Sequence, residues 1–145
     1  MSARPKFPVV ARILLGLGFT VFGLNFFVPF LPQPAPPSPE VGAFLGALIG
    51  GKILTVVKTV ELVSGLALLS NRFVPLALTL LAPIEINILL FHGVFEPSGI
   101  LPGALLTALT IYLAWAYRSA FAPMLQSHIE PDVAIELAAR HPVTA

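Results

Sequence analysis

"KTVELVSGLALLSNRFVPLALTLLAPIEINILLFHG", residues 58–93, decides the fold. Two apolar runs flank the polar turn "SNRF", Ser70 to Phe73, a length expected between antiparallel helices. Inside those runs sit Lys58, Glu61, Glu85, Asn87 and His92. A charge near the middle of a bilayer costs about 2.5–3.5 kcal/mol on insertion scales, so such groups are expected to face one another or a protein interior rather than lipid.

The rest of the chain agrees with a membrane setting. Of 145 residues, 57% are hydrophobic and 10% charged, with a mean hydropathy of +0.92; soluble domains carry roughly 25% charged residues. Four stretches, about 9–29, 45–70, 73–93 and 101–121, have the roughly 20 mainly apolar residues that a spanning helix needs. The first follows Arg4 and Lys6 and is longer than the apolar core of a signal peptide, so it is expected to remain as a span. Between spans one and two, "PFLPQPAPPSPE" holds six prolines and cannot continue a helix. "EPSGILPG" ends span three and starts span four in the same way.

These readings predict an all-α four-transmembrane-helix bundle over residues 1–121, with a short cytoplasmic tail at 122–145. Arg4, Lys6 and Arg12 precede span one, Arg72 lies between spans two and three, and Arg118 follows Tyr112, Trp115 and Tyr117 at the end of span four. Basic residues favour the cytoplasmic side, so both termini are expected there. The tail could form a short helix from Pro131, and neither His128 nor His141 is assigned any chemistry. A net charge of +1 without a basic cluster excludes nucleic acid as an expected partner.

Gly42, Gly46 and Gly50 recur at intervals of four in span two, a spacing that lets helices approach closely in lipid. Continued along a straight helix, that stripe reaches Lys58, Glu61 and Gly65. Gly16, Thr20 and Gly23 are a weaker counterpart in span one. Lys58 and Glu61, three apart, are expected to pair; Glu85 and His92 share a face of span three, about 10 Å apart along the axis. Lys58, Glu61 and Glu85 form a candidate pocket or proton relay, with His92 and Asn25 nearer the outer side. Asn87 points off that face and could brace a neighbouring helix. Lys52 is placed outside the group, snorkelling to the outer interface.

Other chemistries fall away. The absence of cysteine removes thiol and disulfide chemistry from the chain itself. His92 has no second histidine at membrane depth with which to hold a haem. The acidic residues lack metal-ligand spacing, and no phosphate-binding glycine loop or serine–histidine–aspartate set is readable.

At these residues the chain resembles the DoxX/DoxX-like family of small four-helix membrane proteins. The resemblance runs over about residues 9–121 and is carried by "ARILLGLGFTVFGLNFF", "VELVSGLALLSNRFVPLAL" and "LLAPIEINILLFHGVFEPSG". It implies a multi-pass inner-membrane protein, a subunit of or accessory to a quinone-linked or oxidative-stress redox system, either homo-oligomeric or part of a larger complex. It also implies that Glu61, Asn87 and His92 are shared polar residues, with quinone as the possible cofactor. Two alternatives stand beside it: a small proton-coupled transporter, and an assembly or scaffold protein in which the charges form a structural knot.

Overall fold

The computed structural model describes residues 6–32 and 35–128. The suggested tail helix from Pro131 and His141 lie outside the described residues; His128 is exposed.

All described secondary structure is helical. Helix α1, Lys6–Phe27, carries Pro8 in its first turn, where no intrahelical donor is lost. Ser38 then caps α2, Pro39–Gly50, by accepting the Val41 N–H at 3.3 Å, with Pro39 pre-set at the first helical turn. Helix α3 is Ile53–Leu69 and α4 is Val74–Val94. A short 3-10 turn, Pro97–Gly99, leads into α5, Ile100–Ala116. Helix α6, Arg118–Phe121, and a 3-10 turn at Ala122–Leu125 follow.

Helices α1 and α4, and the Pro97–Ala116 segment, are each long and apolar enough to cross a membrane; α2 and α3 together make up to a fourth crossing. The expected single helix over 45–70 is in fact two helices bent by 76°. Adjacent Gly50 and Gly51 weaken the helix there, each by about 1 kcal/mol relative to alanine. Lys52 then adopts a left-handed conformation, φ 62°, and redirects the chain. The expected last span also stops short of 121, at Ala116, with Tyr117 separating it from α6.

Helices α1 and α3 run antiparallel and form the closest seam. A Cβ on Gly65 would lie 2.6 Å from the Thr20 hydroxyl oxygen and 2.7 Å from its backbone nitrogen. One on Gly23 would lie 3.0 Å from the Leu62 nitrogen. The small-residue interface is thus Gly16, Thr20 and Gly23 against Gly65. By contrast, Gly46 and Gly50 meet nothing within 4 Å, and Gly42 meets only the Pro36 ring at 3.6 Å. The bend at Gly51 and Lys52 separates those glycines from the Lys58 face that a straight helix would have shared with them.

The core lies towards one end of the bundle. Ala11, Leu15 and Phe19 of α1, on one helical face, bury against Leu68 of α3, Ala77, Leu78 and Leu81 of α4 and Leu113 of α5. At the same end the Arg12 guanidinium, also buried, donates to the carbonyls of Leu68 and, at 3.3 Å, Leu69. Those carbonyls are at the C-terminus of α3, where acceptors lack intrahelical donors and the helix dipole is negative. Outward positions such as Val56, Val63, Ile86, Leu101 and Ile111 remain exposed and apolar, a surface suited to lipid.

A cleft between four helices as the candidate functional site

At the other end the helices part around a cleft of about 460 Å³. Phe19, Phe22 and Phe26 of α1 supply an aromatic wall, since steps of three and four put them on one helical face. Ile88 of α4 and Leu106 of α5 lie across from it. The polar lining comes from Lys58 and Glu61 of α3, Asn25, His92 and Glu96.

Lys58 and Glu61 pair as expected: the ammonium nitrogen lies 2.8 Å and 3.1 Å from the two carboxylate oxygens. Glu61 is only 2% exposed, while Lys58 is 23% exposed on its side chain. An ammonium group has three donors, so one remains for the cleft after both carboxylate contacts. One turn on, the Ser64 hydroxyl is buried without a hydrogen-bond partner, as is that of Thr20 across the α1–α3 seam.

His92 is held more tightly than its sequence position suggested. Its Nδ1 lies 3.0 Å from the Glu96 carbonyl oxygen and 3.2 Å from a Glu96 carboxylate oxygen. Both partners are acceptors, so Nδ1 carries the hydrogen and the neutral ring keeps its lone pair at Nε2. The other Glu96 carboxylate oxygen accepts from the Ser98 hydroxyl at 2.7 Å. Phe91 meets the imidazole edge-on, with ring centroids 5.3 Å apart. The ring also occupies the space a side chain on Gly99 would take, so a larger residue there would displace the imidazole.

Glu85 stands apart. It is 3% exposed, receives the Thr110 hydroxyl at 2.6 Å across the α4–α5 interface, and does not line the cleft. The expected group of Lys58, Glu61 and Glu85 is therefore two separate arrangements, an ion pair facing the cleft and a carboxyl–hydroxyl contact between helices.

The two asparagines brace local backbone rather than neighbouring helices. Asn87 is exposed and its amide donates to the Pro83 carbonyl at 2.8 Å within α4, away from the cleft. Asn25 does line the cleft, and its side-chain oxygen accepts the N–H groups of Phe30 and Leu31 at 2.9 Å and 2.7 Å, folding the chain back after α1. Lys52 is exposed at the bend, outside the polar group as expected.

Sequence reading missed Arg12 as a cap, Glu96 as the partner of His92, and Thr110. Only Glu96 had a local signal, being four residues after His92 at the end of a helix. Among the described residues, no cluster of three or more histidine, aspartate or glutamate side chains could hold a metal ion.

Comparison with protein-family models, with curated proteins and with solved structures finds no match. The geometry of the cleft therefore carries the functional reading.

Proposed function

We propose that this is a DoxX-like multi-pass protein of the inner membrane, with both ends cytoplasmic, that serves as an accessory subunit of a membrane redox system and holds a quinone-type ring in the cleft. The observation that carries this reading is the combination of an aromatic wall with two acid–base pairs at separate places on its rim. Phe19, Phe22 and Phe26 offer ring faces and edges to a flat apolar group. The remaining Lys58 donor is suited to a carbonyl oxygen. The Nε2 lone pair of His92 can accept a hydrogen bond from a ring hydroxyl, while Glu96 fixes the imidazole through Nδ1. A quinone would supply the redox chemistry when bound, and its electrons would come from a partner enzyme, since the chain has no cysteine with which to pass them on.

The test is the quinone content of protein purified in mild detergent, measured by mass spectrometry of the lipid extract. Wild-type protein should carry prenylated quinone, and His92→Ala should carry about tenfold less, the upper end of the loss expected for one hydrogen bond. Wild-type protein that neither retains quinone nor binds added decylubiquinone would overturn the proposal.

A scaffold role has one observation in its favour, the open face of α2 at Gly46 and Gly50. If the protein acts in that way, Gly46→Leu should lower the abundance of a partner more than Glu61→Gln does. A relay through Lys58, Glu61 and Glu85 has less support, since Thr110 engages Glu85 away from the cleft.

A further inference from the structure

A second hollow, of about 600 Å³, lies between α1 and α5 towards the opposite end of the bundle. Its walls include Phe7 and Leu14 of α1 and Leu105, Leu106, Leu109 and Tyr112 of α5. In antiparallel helices these positions face each other over seven residues, a groove about 10 Å long. Phe7 and Tyr112 close its far end, edge to face with centroids 4.8 Å apart. The groove has no charged lining, and Phe7, Leu14 and Leu105 are exposed on its outer side.

Leu106 belongs to both hollows. It is packed against Gly18 of α1, which has no side chain: a Cβ there would lie 2.8 Å from a Leu106 methyl carbon. Leu106 is therefore the side chain that would have to turn aside for groove and cleft to join.

We propose that the α1–α5 groove takes the hydrocarbon tail of the molecule whose ring occupies the cleft, with Leu106 and Gly18 as the threshold between head and tail. This rests on the function proposed above and narrows the ligand to an amphiphile, a flat polar ring bearing an unbranched or isoprenoid chain. The opening of the groove towards lipid lets such a molecule arrive sideways from the bilayer, its tail never crossing water. The protein offers the tail little hydrophobic gain over lipid, so the contribution of the groove is packing and orientation.

The experiment compares 2,3-dimethoxy-5-methyl-1,4-benzoquinone with its 6-decyl derivative, binding to full-length protein in lipid nanodiscs. Affinities are referred to the concentration of each compound within the lipid, which removes simple partitioning. The decyl compound should bind about fivefold tighter to the wild type, a modest packing gain. Leu109→Trp, which fills the groove, should abolish that advantage while leaving the tailless compound unchanged. Val63→Trp, on the exposed surface of α3, should preserve it.

If both compounds bind the wild type equally, or Leu109→Trp leaves the decyl advantage intact, the groove holds only bulk lipid and the tail proposal is overturned alone. If neither compound binds, the ring-binding function falls and the tail proposal with it. Thermal melting of each variant verifies that it is folded. Should Leu109→Trp melt early, Ala108→Leu takes its place with the same expected result, because Ala108 lines the same groove.

Discussion

At the scale of single residues, the two helix-buried acids need different partners and should respond differently to change. Lys58→Met leaves Glu61 buried without its counter-ion, which should cost about 3–5 kcal/mol. Replacing both, as Lys58→Met with Glu61→Leu, should recover much of that loss. Reversible unfolding in mixed micelles measures both variants, and equal stability of the single and double variants would show that Glu61 finds another partner. Gly65 gives a sharper case. Its missing Cβ is replaced by Thr20 backbone, which cannot rotate away, so Gly65→Ala should destabilise by about 1–3 kcal/mol. Gly46→Ala, inside α2 and facing open space, should instead raise the stability of the isolated chain by about 0.5–1 kcal/mol. At the mouth of the cleft, Gly99→Ala should displace His92 and weaken ring binding as much as His92→Ala does. A His92 ring resonance unchanged by Gly99→Ala in nuclear magnetic resonance spectra would overturn that expectation.

At the scale of elements, three of the expected spans correspond to α1, α4 and α5, because an apolar run of the right length bounded by proline or a polar turn has few other solutions. Helix α3 was legible for its ion pair, since Lys58 and Glu61 meet within one turn and need no tertiary information. The break before it was not. Gly50 and Gly51 read equally well as close-packing residues or as a place for a helix to end, and only the left-handed Lys52 decides between them. That bend cancels the inference that the glycine and charged stripes share a face. Glu85 was misplaced for a related reason: a helical face is wide enough to serve a cleft and a helix interface at different heights, and Thr110 lies 25 residues away. Lys52→Gly should relieve the left-handed conformation and raise stability by about 0.5–1 kcal/mol, read from unfolding midpoints. A lower midpoint would show that the lysine stem stabilises the bend in another way.

At the scale of the whole molecule, the buried core and the cleft occupy opposite ends, so the tight end fixes the helices while the polar end stays accessible. Arg12, at the tight end, ties α1 to the last turn of α3 and keeps that separation. Arg12→Met should loosen the seam and lower stability by about 1–3 kcal/mol, since Leu69 loses its side-chain donor and Leu68 keeps only the Asn71 N–H. The bend at Lys52 also gives the protein a chemical label of its own orientation. Its three lysines sample three environments: Lys6 starts α1 at the tight end, Lys58 is engaged by Glu61, and Lys52 is exposed where α3 begins, about 25 Å along α3 from its far end. If both termini are cytoplasmic, as proposed above, a membrane-impermeant sulfonated ester applied to intact cells should acylate Lys52 and spare Lys6. Lys6 should react only after permeabilisation, and Lys58 should stay protected until the ion pair is broken. The opposite order would turn the protein over in the membrane, and three amines are enough to read which way it lies.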